Sequence, residues 1–181
     1  MRLETERLVL REWEDRDRPY FAAIVADPYV MRYYPATRSH SEADAWIDRM
    51  IAGYAAGTAH FMAVERKTDG ALLGLTGTAG IAFAIPTAPQ IEIGWLLGQQ
   101  FWGQGYAPEA ARAAMAHAFD VLGHKEVTAF TATINRPSQR VKEKLGMRRD
   151  PAANFEHPNV PAGHPLRPHV LYRVANPAAP R

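Results

Sequence analysis

Apolar and polar positions follow two different periods along this chain, and each period predicts one kind of element. Alternation with a period of two, bounded by Gly, Pro or Asp, predicts strands at residues 7–12, 59–66, 71–83, 90–97 and 125–132. Apolar positions three or four residues apart, between capping residues, predict helices over 17–26, 39–56, 108–122 and 137–146. The remaining tail combines short extended segments with a proline-rich loop at 151–165. The predicted order is therefore β-α-α-β-β-β-α-β-α-β-β, without an internal repeat.

Three short signals set the boundaries of these elements. Asp17 precedes Arg18-Pro19 and is predicted to cap the first helix, with a proline early in its first turn. The segment 39–42 reads Ser-His-Ser-Glu, a capping-box pattern for the second helix. The pair Asp69-Gly70 predicts a hairpin between the second and third strands.

Composition limits the class of protein. With 181 residues, 47% of them hydrophobic, the chain is predicted to be a single domain over 1–181, with a short flexible tail from about 175. It has no cysteine, which excludes disulfides and thiolate metal sites and fits a cytoplasmic location. No apolar run is long enough to span a membrane, and the first residues lack the apolar core of a signal peptide. The net charge of +2, without a basic block, argues against a nucleic-acid partner.

The most informative segment joins the fourth predicted strand to the third predicted helix. It reads Gln-Gln-Phe-Trp-Gly-Gln-Gly-Tyr-Ala over residues 99–107. Two glycines let a ligand approach the backbone closely, and the free N–H groups of the following helix point into the same space. This combination predicts an anion cradle that suits a phosphate or pyrophosphate.

Two familiar phosphate-binding motifs do not fit this segment. A P-loop requires Gly-Lys-Ser/Thr, whereas Tyr106 and Ala107 follow Gly105 here. A dinucleotide fingerprint requires a third Gly or Ala at the position of Pro108, and it usually opens the first βαβ unit.

The segment instead resembles the acetyl-CoA loop of the GNAT superfamily of N-acetyltransferases, Gln/Arg-x-x-Gly-x-Gly/Ala. Three further segments resemble the same superfamily: 5–11, the Ile-Gly-Trp at 93–95, and 135–147, which reads Asn-x-x-Ser and ends in Lys-Leu-Gly-Met. Together they are similar to the branch that includes ribosomal-protein N-terminal acetyltransferases, over residues 3–174. The resemblance implies an α/β (α+β) fold. Its mixed, mostly antiparallel sheet has about seven strands, is covered by helices on both faces, and is splayed between the fourth and fifth strands.

The resemblance also implies how acetyl-CoA is bound. The pyrophosphate is assigned to backbone N–H groups of the glycine turn, and the pantetheine arm to the edge of the fourth strand and the start of the fourth helix. The residues concerned are Leu96, Leu97, Gln100, Trp102, Gly103, Gln104, Gly105, Tyr106, Ala107, Asn135 and Ser138. Local alternatives stay open for two of them, because Asn135 is also a suitable cap before Pro137 and Ser138 is an ordinary first-turn residue.

The acceptor implied by the resemblance is an amine, which must lose a proton before it attacks. Glu92, a carboxylate within an apolar strand, is the leading candidate for the base, because burial would raise its pKa. The alternative is a half-exposed glutamate paired with an arginine. A backbone N–H near Leu97 is implied for the oxyanion. The fourth helix contains no tyrosine to protonate the leaving thiolate, so Ser138 or water is expected to do so.

Other candidates for the acceptor side come from irregular segments. In the loop at 155–165, His157 or Glu156 is an alternative base. A metal site formed by His157, His164 and His169 is not expected, because their spacing matches no known ligand pattern. Tyr33 and Tyr34, between two prolines, are expected to line the acceptor cleft.

Two functions from different classes follow from these observations. The first is acetyl-CoA-dependent transfer of an acetyl group to a protein N-terminus or a small-molecule amine. The second is a catalytically silent acyl-CoA-binding domain with a sensing or scaffold role. No metal is expected in either case, and a homodimer is possible by analogy with the family.

Overall fold

A computed structural model describes residues 1–86 and 91–178 of the chain. Its sheet consists of β1 (Arg2–Glu4), β2 (Leu8–Arg11), β3 (Ala59–Arg66), β4 (Leu72–Gly80), β5 (Ile91–Leu97), β6 (Glu126–Ala132), β7 (Arg148–Arg149), β8 (Phe155–Glu156) and β9 (Pro168–Ala175). The helices are α1 (Arg18–Ala26), α2 (His40–Ala56), α3 (Tyr106–Asp120) and α4 (Arg136–Lys144). Short 3-10 turns lie at Asp15–Asp17, Gln99–Phe101 and Pro151–Ala153. Within the described residues, no helix combines the length and the apolar character that a membrane span requires.

The sheet has the predicted mixed, mostly antiparallel character. Its strand order is β1-β2-β3-β4-β5-β6-β9-β7, with β8 paired to β9. All described pairings are antiparallel except that of β5 with β6, which is parallel and has a single registered pair, Glu92 opposite Thr128. Beyond Glu92 the two strands diverge, which agrees with the predicted splay. Within the described residues, nine strands replace the predicted seven, because strands of only two or three residues show no period.

Side-chain alternation along β5 divides the interior into two cores. Ile93 and Leu97 lie in a core with α3, whereas Leu96 lies in a core with α1 and α2. Glu92 shares the face of Leu96, because alternate residues of a strand point to the same side. The strand therefore carries Glu92 towards the side of the sheet that α1 and α2 cover.

Most predicted boundaries agree with the structure to within two or three residues. The third helix begins at Tyr106 rather than Pro108 and ends at Asp120 rather than Leu122. The predicted strand at 71–83 ends at Gly80. Gln90 and Pro89, which the sequence places at the start of the next strand and in the loop before it, lie outside the described residues. In the predicted flexible tail, the Asn176 amide donates a 2.7 Å hydrogen bond to the Lys125 carbonyl.

The capping box of α2 is confirmed, but the role predicted for the Asp17 carboxylate is wrong. The Ser39 hydroxyl accepts a hydrogen bond from the Glu42 amide, and the Glu42 carboxylate accepts one from the Ser39 amide. Asp17 occupies the N-cap position of α1 without making a side-chain cap. Its carboxylate is buried and instead accepts two hydrogen bonds from the Arg11 guanidinium, at 2.7 and 2.8 Å. A buried carboxylate needs a paired cation, and this requirement outweighs capping.

Candidate active site

The glycine turn has the backbone conformation that an anion cradle requires. Gly103 and Gly105 have φ angles of 75° and 81°, in the left-handed region that favours glycine. A Cβ atom at Gly103 would meet no protein atom within 4 Å, so this side of the turn is open to a ligand. Gly105 is the N-cap of α3, and the first-turn N–H groups of a helix favour an anion.

The back of the turn is held by contacts that sequence reasoning did not find. The Arg7 guanidinium donates to the Gln104 carbonyl at 3.0 Å and to the Glu109 carboxylate at 2.7 Å. The Thr5 hydroxyl donates to the same carboxylate at 2.6 Å. The resemblance of segment 5–11 to the family thus has a physical basis, because Thr5 and Arg7 fasten the first strands to α3.

Trp102 links the turn to the end of β5. Its indole N–H donates a 2.8 Å hydrogen bond to the Leu97 carbonyl. The centroid of its ring lies 5.6 Å from the centroid of the Tyr29 ring. The same centroid lies 4.8 Å from the central carbon of the Arg32 guanidinium. Within the turn, the Gln104 amide donates to the Gln100 carbonyl at 2.9 Å. The role of Trp102 in this arrangement is therefore structural, because it connects the turn to the end of β5.

The splayed edge of β5 leads from this turn to Glu92. On its other edge, β5 is registered with β4 from Ile91 to Leu97. The side chains of Leu96 and Leu97 are buried in opposite cores, so only their backbone groups can meet a ligand in the split. An extended chain can add to such an open edge as an extra strand.

Glu92 is half-buried where the two strands begin to diverge. Burial raises the pKa of its carboxyl from the ordinary 4.5 to about 7, although the charge of Lys142 opposes this shift. In the described parts of the chain, Glu92 forms no ion pair with an arginine. This carboxylate is poised to exchange protons near neutral pH.

Lys142 is the residue of this site that sequence reasoning missed. Its side chain is 2% exposed, and its Nζ donates a 2.8 Å hydrogen bond to the Ser138 hydroxyl. Burial lowers its pKa to about 7, although the charge of Glu92 opposes this shift. The sequence contained a weak signal for this burial. Residues 138, 142 and 145 lie on one face of the helix, and the last of these residues is the apolar Leu145.

Asn135 and Ser138 occupy the local positions that the sequence left open as alternatives. The Asn135 side-chain carbonyl accepts a 3.2 Å hydrogen bond from the Ser138 amide and so caps α4. Its amide group donates to the Thr131 hydroxyl at 2.9 Å. Ser138 is half-buried, and its hydroxyl proton stays available while its oxygen accepts from Lys142.

Tyr33 and Tyr34, in the segment between α1 and α2, lie in different surroundings. Tyr34 is 37% exposed as a residue, yet burial of its hydroxyl and the charge of Glu92 raise its pKa to about 12. Tyr33 packs against Val160 of the proline-rich loop and against Leu166, which follows the loop. The structure thus brings Tyr34 near Glu92, and Tyr33 joins the loop to the segment between α1 and α2.

The geometry of the proline-rich loop favours Glu92 over its own candidate bases. His157 Nδ1 accepts a 3.2 Å hydrogen bond from the Asn159 amide, so the neutral ring carries its proton on Nε2 and has no free acceptor. Burial lowers the pKa of His157 and keeps the ring neutral. Glu156 is exposed and paired with Arg167 at 3.1 Å.

His157 also belongs to a cluster of rings. Its centroid lies 4.8 Å from that of His169 and 4.6 Å from that of Phe83, and Phe130 and Phe155 complete the cluster. Among the residues described, no group of three His, Asp or Glu side chains is arranged to hold a metal ion.

Comparisons with known proteins agree with this geometry. Residues 7–148 match the family model described as acetyltransferase (GNAT) domain. The Bacillus subtilis protein YkkB is 34% identical over 150 residues, which cover 81% of this chain and 84% of that one. The uncharacterized N-acetyltransferase YnaD of the same organism is 28% identical over 96% of each chain.

Solved structures show the same architecture. A GNAT-family acetyltransferase from Bacillus anthracis superposes with a TM-score of 0.78 at 24% identity, over 97% of this chain and 98% of that one. The ribosomal-protein-S5-alanine acetyltransferase of Vibrio fischeri gives a TM-score of 0.77 at 17% identity, over 98% of each chain. The predicted likeness to ribosomal-protein acetyltransferases is confirmed at the level of the fold.

Proposed function

Because the chain belongs to the GNAT family of acetyltransferases, we propose that it transfers the acetyl group of acetyl-CoA to a primary amine by direct attack in a ternary complex. The observation that carries this proposal is the position of Glu92. A half-buried carboxylate with a pKa of about 7 lies at the start of a split strand edge, and that edge ends at an open glycine turn.

The residues present suit acetyl-CoA as a co-substrate. The turn from Gln100 to Ala107 would hold the pyrophosphate through backbone N–H groups, since a side chain at Gly103 would enter the open cradle. The pantetheine arm would pair with β5 near Leu96 and Leu97. Asn135 and Ser138 would contact the arm from the start of α4, and Asn135 would do so while it caps the helix.

The chemistry follows from the same positions. Glu92 would accept the proton that the amine must lose, and Tyr33 and Tyr34 would line the path of the acceptor. A backbone N–H of β5 near Leu97 would stabilise the oxyanion. His157 stays a second candidate base, although its hydrogen bond from Asn159 disfavours that role.

The proposal also covers the domain extent, the location and the partners of the protein. We infer a single domain over 1–181, a cytoplasmic location, and no metal, nucleic acid or membrane as a partner. The acceptor is a protein N-terminus or a small-molecule amine. A homodimer belongs to the proposal by analogy with the family alone.

Binding of acetyl-CoA is tested first, by calorimetric titration with ATP and NAD as controls. Gly103→Ala forces a side chain into the left-handed region and into the cradle, and we expect it to weaken acetyl-CoA binding about tenfold or more. Gly123→Ala is the matched control. Gly123 also has a left-handed φ, of 72°, and a Cβ added there would meet no atom within 4 Å, but this residue lies at the other end of α3, away from the turn.

The outcomes separate the candidate functions. Selective binding of acetyl-CoA that Gly103→Ala weakens and Gly123→Ala does not would support the assigned cradle. Release of CoA above the rate without enzyme, in a panel of primary amines, would establish transfer. Binding without transfer to any amine would favour the silent acyl-CoA-binding domain, and no binding at millimolar acetyl-CoA would overturn the proposal.

A further inference from the structure

The buried lysine of α4 lies on the opposite side of the sheet from Glu92. Lys142 Nζ lies 4.9 Å from the centroid of the Trp95 ring and 6.0 Å from that of Tyr172. Trp95 packs against the core of α3, whereas Glu92 points to the side of α1 and α2. The charge of each group nevertheless acts on the pKa of the other, so Lys142 lies within electrostatic reach of Glu92, the last residue before β5 and β6 diverge.

Such a lysine is costly to bury. Across the described segments no carboxylate forms an ion pair with its Nζ, and its partners are the Ser138 hydroxyl and the rings of Trp95 and Tyr172. A buried cation without a paired anion destabilises a fold, so an unpaired one at a split strand edge points to a chemical role.

Resting on the function proposed above, we propose that Lys142 is the proton source for the leaving thiolate and delivers the proton through the Ser138 hydroxyl. Nζ donates to the Ser138 oxygen, which leaves the hydroxyl proton directed elsewhere. The fourth helix has no tyrosine, and Lys142 and Ser138 together supply the acid.

The proton transfers balance as follows. The amine nitrogen bonds to the acetyl carbon, and its proton passes to Glu92. The carbon–sulfur bond breaks with its electron pair on sulfur, the Ser138 hydroxyl proton moves to sulfur, and a proton of Nζ moves to the Ser138 oxygen. Protonated Glu92 and neutral Lys142 then exchange protons with solvent, which restores the starting state without any further reactant.

Few other groups titrate with this pair. On β9, burial lowers the pKa of His169 to about 4, so the ring is neutral at neutral pH. Burial also raises the pKa of Tyr172, which keeps its hydroxyl protonated. Glu92, on β5, is therefore the group that changes charge together with Lys142 near neutral pH.

The test uses the thiol of bound CoA and needs no acceptor. The ultraviolet absorbance of the thiolate is followed against pH for the full chain saturated with CoA, with desulfo-CoA, which lacks the thiol, as the blank. A cation near the sulfur lowers its pKa, so we expect the apparent thiol pKa to rise by about 1 to 3 in Lys142→Met. Lys142→Arg should keep the low value because the guanidinium stays charged, and Lys125→Met, at an exposed lysine, should match the unaltered protein.

Each outcome bears on the proposal. Equal thiol pKa values in the unaltered protein and Lys142→Met, with CoA bound to both by calorimetry, would overturn the role of Lys142 and leave the proposed function standing. Failure of the unaltered protein to bind CoA would overturn both. If Lys142→Met does not fold, Ser138→Ala replaces it and should raise the thiol pKa in the same direction. Acetylation of Lys142 itself during turnover, seen by mass spectrometry, would also overturn the proposal, since an amide cannot donate this proton.

Discussion

At the scale of single residues, the role proposed for Glu92 as the base depends on its surroundings. At neutral pH an ordinary glutamate is fully ionised and a weak base, whereas a carboxyl with a pKa of about 7 combines a populated ionised form with higher basicity. The shift comes from burial, and the charge of Lys142 holds it back. The pKa of Glu92 therefore depends on a side chain from another element.

Replacement of this carboxylate tests its role as the base. We expect Glu92→Gln to lower kcat/KM for an amine about 100-fold or more and to remove the rise of activity with pH up to about 7. The fall at low pH arises because protonated Glu92 cannot accept a proton. Glu126→Gln is the matched control, since Glu126 is a half-buried glutamate on the neighbouring strand that pairs with Arg173. An unchanged pH profile in Glu92→Gln would exclude Glu92 as the base.

At the scale of elements, the site depends on how the glycine turn is fastened to β5. Trp102 makes this link through its 2.8 Å hydrogen bond to the Leu97 carbonyl. Arg7 and Glu109 hold the turn from behind. The strands and the helix together hold the turn in place relative to β5. A ligand that contacts both the turn and β5 would therefore meet them at a fixed distance and orientation.

A pair of tryptophan variants separates positioning from stability. Trp102→Phe removes the bond to Leu97, and Trp13→Phe removes a similar 2.9 Å bond to the Phe61 carbonyl on the far strands. We expect each to lower the free energy of unfolding by about 1 kcal/mol. Only Trp102→Phe should weaken acetyl-CoA binding, and calorimetry and urea unfolding of both variants measure this difference. Equal affinities would show that Trp102 does not position the turn.

Sequence reasoning succeeded where the signal is local. The glycine turn before α3, the capping box at Ser39 and the strand β5 each depend on neighbouring residues, and the structure has them at the predicted places. The burial of Lys142 was missed because the mostly polar run Arg-Val-Lys-Glu-Lys at 140–144 outweighs the weak signal from the face that it shares with Leu145. Arg7 and Glu109 lie 102 residues apart, so only the folded sheet reveals their contact. Asp17 was assigned to a cap because its partner, Arg11, belongs to another element.

For the molecule as a whole, the split sheet separates two helical layers, each with its own core. In the proposed function, the layer of α1 and α2 would face the acceptor, with Tyr34 near Glu92, and the layer of α3 and α4, which carries Lys142, would hold acetyl-CoA at the glycine turn. Glu92 and Lys142 act on each other's pKa, and neither is neutralised by a direct ion pair among the described residues. Because both charged forms are desolvated, the arrangement costs stability, and this cost depends on pH.

The stabilities contributed by the two groups have opposite slopes with pH. The pKa of Glu92 is raised from 4.5 to about 7, so in this window the folded state binds more protons and stability falls as pH rises. The pKa of Lys142 is lowered from 10.5 to about 7, so above pH 7 the unfolded state binds more protons and stability rises with pH. The contribution of the pair is therefore lowest near pH 7.

We expect the double variant Glu92→Gln/Lys142→Met to gain stability over the unaltered protein, most strongly near pH 7. The gain should shrink by about 1–3 kcal/mol towards pH 5 and towards pH 10, because one group is then neutral in its buried site. Urea unfolding across this range measures it. Glu143→Gln/Lys144→Met, an exposed pair on α4, is the matched control and should show no such maximum. A difference that stays flat with pH would mean that these two groups ionise in the fold much as they do in water. In that case neither their burial nor their mutual influence could tune the proton transfers assigned to them.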